Sequence, residues 1–450
     1  FLPGNHDITN NAMYDYWEEN VGRTYYSFTY AGCRFILLNT EEGWRAEGGT
    51  TFGPEQMDWL ETEIGDHRDT KHTFVFLHKP VWNYSGKPYE EWEQIEEWID
   101  GLDYTVFAGH FHRLAYERRQ DRPYYVLSAT GAGLGPSQVL QYGGFHHYTT
   151  VTVDGDDVHT AIVEPGNVHP HDIAPREFRE QANRALSLSG EVSVEPGVGS
   201  TVTKATLTNT LDAPMEAHIA FTVAEESGWE VNPVEVRLRA RPGETADQTF
   251  DLFYDFAVVT PLPTYRYTVT YAGTTIFERS GTVTPKLTGI AEWTLTGGFD
   301  LGVDEAPADD AAAMALPAFT EPLAPETDAD GVEGVEWVEA TGDKNSWIDL
   351  TKQFEGDYQI AYGRAFVYSP TARDVVAAVR CDDMVKVLVG DAEAVPHVGA
   401  GKDATYVSLP LEAGWNRVLV KSANTTGGWG FSLRISDVDG KLKFSAQPQE

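Results

Sequence analysis

A change of period divides this chain. Up to about residue 165, short apolar runs alternate with segments whose apolar residues recur every three or four positions. Beyond about residue 188 the dominant pattern is strict apolar–polar alternation. The first pattern demands strands alternating with helices in layers, and the second demands half-buried strands. In the first region, residues 24–30 (TYYSFTY), 33–40 (CRFILLNT), 72–78 (HTFVFLH), 104–110 (YTVFAGH) and 122–131 (RPYYVLSATG) read as strands. Residues 53–65 read as a helix with Pro54 at its start, Gly65 at its end and Met57, Leu60 and Ile64 on one face. Residues 89–101 read as a second helix, with Trp92, Ile95 and Ile99 on one side and Gly101 closing it.

Residues 166–187 are polar and read as a linker carrying a short helix. In 215–223, Met215, Ala217, Ile219, Phe221 and Val223 share a face; in 234–241, Val234, Val236, Leu238 and Ala240 do so opposite Glu235, Arg237, Arg239 and Arg241. Such strands, with Gly/Pro turns, predict a small β-sandwich over 188–287. Strand patterns at 373–380, 384–389, 415–423 and 428–435 predict another over 288–450, interrupted by an acidic Ala/Pro stretch, 304–331, that reads as a long surface loop.

Three places in the first region carry chemistry. Gly4-Asn5-His6-Asp7 is a tight turn; His78 ends one apolar run; Gly109-His110-Phe111-His112 ends another. Carboxyl ends of neighbouring strands converge on one rim of a sheet, where α/β proteins place ligands. Imidazole nitrogens and an amide oxygen suit Zn, Mn or Fe. On an extended segment His110 and His112 would point the same way. Any one of these features is an ordinary turn or packing histidine in most proteins; the three in this order, each at a strand end, point to one site.

The motifs GNHD, the His of FLHKP, and GHFH resemble the later motifs of the calcineurin-like metallophosphoesterases, over residues 1 to about 160. The resemblance implies an α/β layered (αββα) sandwich holding two divalent metal ions, with Asn5, His78 and His110 on one metal and His112 on the other. It also implies that His6 donates a proton to the leaving group and that Asp7 orients and charge-stabilises His6. The implied reaction is one-step hydrolysis of a phosphate ester by a hydroxide shared between the ions. In that family Asp-x-His and Gly-Asp-x-x-Asp precede Gly-Asn-His-Asp. Here the same spacings occur only at Gly65–Asp69 and Asp157–His159, in polar turn-like contexts. The expectation is therefore a domain incomplete at its N-terminus, with at most one weakly held ion in this chain.

Residues 188–287 loosely resemble Ig-like accessory modules of bacterial extracellular enzymes, and 288–450 is similar to jelly-roll accessory domains of secreted bacterial proteins. That likeness implies a secreted or periplasmic protein. In the last unit Trp415, Trp429, Asp382 and Asp383 invite a glycan-binding reading, but core or rim packing is the favoured role for the tryptophans. A second reading of the whole is thus a glycan- or surface-binding protein with an inert phosphoesterase-like domain. The charge balance, 33 Lys+Arg against 69 Asp+Glu for a net −36, disfavours nucleic acid as a partner. Two cysteines, Cys33 and Cys381, supply no disulfide framework, and no apolar run approaches a membrane span.

Overall fold

A computed structural model describes residues 1–43, 51–135, 137–303, 305, 307–308, 310–327, 336–399 and 404–447. Its first unit is built on a six-stranded mixed sheet made of β1 (Tyr26–Tyr30), β2 (Cys33–Leu38), β3 (His72–Leu77), β4 (Tyr104–Ala108), β5 (Ala115–Arg119) and β6 (Arg122–Val126), in the order β1-β2-β3-β4-β6-β5. Strands β2, β3, β4 and β6 run parallel, and antiparallel β1 and β5 close the edges. β4 is buried at every position and β3 at five of its six, as apolar strands covered on both faces must be. Because the four inner strands share a direction, Asn39–Glu42, His78, Gly109–His112 and Leu127–Thr130 all emerge on one rim.

Helices α2 (Pro54–Asp66) and α3 (Lys87–Trp98) cover one face. Leu60, Ile64, Trp92 and Ile95 pack there on Ile36, Leu38, Val75, Val106 and Tyr124. Each such burial stabilises by about 2 kcal/mol. Glu96 of α3 is buried and takes both guanidinium bonds of Arg119 (2.8 and 2.9 Å) and the Tyr124 hydroxyl (2.7 Å), which ties the helix to the far edge of the sheet. The opposite face carries a file of rings: Phe35–Phe74 at 5.2 Å, Phe76–Phe107 at 5.3 Å and Phe107–Tyr125 at 5.1 Å. Against it lies Val158 of a second, three-stranded sheet, β7 (Tyr148–Asp154), β8 (Asp157–Glu164) and β9 (Asn167–Pro170). The expected linker therefore gives its first residues to a strand of this unit. Its expected helix is α4 (Arg176–Arg184), whose Phe178 and Ala182 enter the next unit's core.

The second unit is two four-stranded sheets around one core. Met215, Ala217, Ile219 and Phe221 are all buried, as their alternation requires. Val234 is exposed instead, because the strand starts one residue later, at Glu235. The third unit packs a five-stranded against a seven-stranded sheet around Trp293, Phe431, Val418 and Leu433. Among the described residues no helix is long and apolar enough to cross a membrane.

The Ala/Pro stretch departs from expectation. Its described part folds as short helices α5 (Asp310–Met314), α6 (Pro317–Thr320) and α7 (Ala324–Thr327), with Phe319 fully buried; residues 328–331 lie outside the described part. What holds it down is invisible in composition. The Glu326 carboxylate accepts from Lys421 Nζ (2.9 Å) and Tyr362 OH (2.7 Å) and pairs with Lys386 Nζ (3.2 Å), all buried on the outer face of the seven-stranded sheet.

Two stability predictions follow from this packing. Glu326→Ala leaves two buried ammonium groups without their shared carboxylate, so it is expected to cost about 3 kcal/mol in urea unfolding and expose residues 310–327 to protease. His72 lies buried beside Thr105 Oγ1 (2.9 Å), and burial pushes its pKa down to about 4. The unfolded chain takes up that proton near pH 6.5 and the folded chain near 4, so stability drains as pH falls through this window. His72→Gln should flatten the pH dependence between pH 7 and 4.5 by on the order of 2 kcal/mol, read from paired urea curves.

Candidate functional site

The turn at residues 4–7 closes on itself. Asp7 N–H donates to Gly4 O (2.9 Å), and the Asp7 carboxylate accepts the Gly4 N–H (2.8 Å). Buried Ile8 anchors the turn, and the side chain of Asn10 accepts Met13 N–H (3.0 Å) to cap α1 (Asn11–Asn20). Gly4 is required by proximity, since a Cβ there would lie 2.8 Å from His78 Cε1. The turn thus lies directly over the strand rim and delivers Asn5 to it.

Three donor atoms converge there. Asn5 Oδ1 is 2.8 Å from His78 Nε2 and 3.1 Å from His110 Nδ1, and the two ring nitrogens are 3.3 Å apart. Ligands held about 2.1 Å from one ion are separated from each other by about 3.0–3.4 Å; two edges of this triangle fall in that range, and the Asn5–His78 edge at 2.8 Å is slightly shorter. The chemistry of the donors agrees. An amide oxygen and two imidazole nitrogens can face one another this closely only with a proton or a cation between them. The trio fits one divalent ion. Among the described residues no group of three or more His, Cys, Asp or Glu side chains forms a metal-binding cluster; here one of the three donors is an amide.

His112 does not join them. His110 (φ 72°) and His112 (φ 51°) are both left-handed, so the segment is a reversing turn rather than the extended stretch expected from its sequence. Two such residues cost about 1–3 kcal/mol each, strain of the kind folds keep at functional sites. The reversal turns His110 inward and leaves His112 exposed, its Nδ1 3.1 Å from Gly133 O in the glycine-rich loop. That loop, His78, His110 and His112 line a cavity of about 460 Å³ that runs down over Phe76 and Phe107. His6 is exposed beside the trio, and among the described residues no hydrogen bond joins it to Asp7. Gly65–Asp69 and Asp157–His159 lie at the end of α2 and the start of β8, away from this cluster.

Burial lowers the pKa of both His78 and His110; for His78 the nearby Glu41 partly opposes this, and for His110 Lys79 adds to it. Both shifts favour the neutral rings, whose lone pairs can meet a metal. Sequence reasoning missed Glu41 and Lys79. Glu41 is buried just past β2, and its carboxylate binds Lys79 Nζ at 2.6 Å, one residue beyond His78. The signal was the polar run Asn39–Glu42 following a buried strand. Lys79 offsets the Glu41 charge, which leaves Asp7 as the other carboxylate whose field reaches His78, so a dication is held by dipoles as well as by charge.

In the last unit, Trp429 is a core residue whose indole N–H bonds Ser422 Oγ (3.1 Å). Asp383 accepts from Thr425 N–H and Oγ1, locking a turn. Asp382 borders Gly428, where a Cβ would sit 2.3 Å from its Oδ2, and half-buried Trp415 packs on Tyr368 at 5.5 Å.

Comparison with known proteins gives one informative likeness. The chain is 29% identical over 148 residues to the serine/threonine-protein phosphatase CPPED1 of Mus musculus, and 28% and 27% identical to those of Rattus norvegicus and Bos taurus. Each match takes in 30% of this chain and 47% of the relative, so the chain spans about half the length of the curated relatives it matches. This similarity supports the calcineurin-like phosphoesterase superfamily for a stretch the size of the first unit. No family model matches. Solved structures that align, such as an anti-sigma factor domain-containing protein (8% identity, 54% of this chain and 81% of that one, TM-score 0.21) and an alpha-xylosidase from Xanthomonas citri (11%, 74% and 36%, TM-score 0.24), are too distant to carry an argument.

Titration with Zn or Mn is expected to show one weak ion per chain. Asn5→Ala, His78→Ala and His110→Ala should each weaken it at least about tenfold, while His112→Ala leaves it unchanged. Because proton and metal compete for imidazoles of lowered pKa, uptake should persist below pH 6.5 and fail as pH drops further. Two tight sites, or equal losses at His112, would contradict this geometry.

Proposed function

We propose that the first unit is a metal-dependent phosphoester hydrolase domain. The convergence of Asn5 Oδ1, His78 Nε2 and His110 Nδ1 within 3.3 Å carries this reading, and the similarity to phosphatases supports it. In this reading the unit is one part of an αββα sandwich, and the β-units behind it are Ig-like and jelly-roll accessory domains. Divalent ions, when bound, supply Lewis acidity and an activated water. Asn5, His78 and His110 would hold one of them, and His112 is the residue present for a second position.

The residues present have clear tasks. His78 and His110, whose neutral forms burial favours, bind the ion. Exposed His6, beside them, is free to hold a proton for the departing alkoxide, at the place where a leaving group meets solvent. The cavity over Phe76 and Phe107 accepts the substrate's body, and the glycine-rich loop lets backbone approach it closely.

Express the chain and assay hydrolysis of p-nitrophenyl phosphate with Mn or Zn. The proposal expects metal-dependent turnover. His6→Ala should cut kcat about 10²–10⁴-fold with metal content kept, and His110→Ala should lose metal as well. Equal metal loss in both variants, or no turnover with two ions bound, would remove the roles assigned here.

A further inference from the structure

Arg113 directly follows the His110–His112 turn, and Arg179 lies on α4. Leu114 N–H donates to Gly143 O (2.8 Å), which sets Arg113 beside Tyr142, and Tyr142 OH donates to Asn183 Oδ1 (2.8 Å) on α4. Arg179 is four residues before Asn183 and so shares that helix face. The Arg113 guanidinium also covers the Phe111 ring (4.9 Å). Both arginines therefore enter one seam between the rim and α4.

Neither has an acceptor. Among the described residues Arg113 and Arg179 make no side-chain hydrogen bond or ion pair, and Arg113 Nε and Arg179 Nη1 are shut off from solvent with no partner. Their neighbour Arg176 shows the ordinary solution: Glu117 binds it twice (2.9 and 2.8 Å) and Glu180 once (2.8 Å). In a chain with 69 acidic against 33 basic residues, a half-buried arginine pair with no carboxylate in ion-pair contact among the described residues is conspicuous. Burial first, and then the nearby Arg113, bring the Arg179 pKa down to about 10, with Glu180 only partly opposing them. A guanidinium pair with unused N–H forks matches the bidentate geometry of an oxyanion.

We propose that Arg113 and Arg179 form an oxyanion site that takes a phosphate group in the seam between the rim and α4. The site is independent of the metal trio and of the hydrolase reading. It would let a phosphate-bearing molecule brace α4, and with it the second unit whose core α4 enters, against the first.

The test is calorimetric titration of inorganic phosphate into the chelator-treated chain at fixed ionic strength, with thermal unfolding followed in parallel. One saturable site is expected, weakened at least tenfold in Arg113→Gln and in Arg179→Gln and kept in His110→Ala, with phosphate raising the unfolding temperature of the parent but of neither glutamine variant. Arg179→Lys keeps the charge and loses the fork, and should bind at an intermediate level; it also serves if a glutamine variant does not fold. No saturable heat, binding unchanged in both variants, equal binding of acetate, or loss of binding in His110→Ala overturns the proposal.

Discussion

Everything at the rim depends on three uncharged donors being pressed together. Asn5 arrives from a turn more than seventy residues away from His78, and His110 from the next parallel strand, yet their polar atoms meet within 3.3 Å. A parallel sheet achieves this because all its inner strands finish on the same side. The surroundings are arranged to permit it. Gly4 has no Cβ to strike His78, and His110 and His112 accept left-handed backbone that most residues avoid. Burial disfavours the imidazolium form that would push the rings apart.

The same arrangement sets the site's limits. Three neutral ligands orient an ion without compensating its charge, and the nearest buried carboxylate, Glu41, is already bound by Lys79. The exposed His112 and the half-covered aromatic face both lie toward the side of the sheet where this chain supplies only three strands. These features fit one description: a rim whose three converging donors carry no charge of their own.

The sequence revealed some of this and hid the rest for physical reasons. α2 and α3 were legible because Leu60, Ile64, Trp92 and Ile95 form a narrow buried stripe. α1 was not, because none of its residues is buried and no stripe exists to read. β5 (AYERR) hid because its polar side chains pair with Glu96 and Arg176 instead of entering a core. The Ala/Pro stretch read as a loop because its anchor, Glu326 between Lys386 and Lys421, is a contact across sixty or more residues that no local period records. At the rim, the motifs located Asn5, His78 and His110. Backbone reversal, which residue types alone do not show, separated His112 from them. The Lys79–Glu41 pair and the arginine seam are likewise tertiary facts.

Anomalous diffraction from crystals of the chain soaked in Zn or Mn tests the central claim most directly. The account predicts a single strong peak about 2.0–2.2 Å from Asn5 Oδ1, His78 Nε2 and His110 Nδ1 together. A peak bound by His112 or His6 in place of any of the three, or no peak at the rim while ions bind elsewhere, would contradict it.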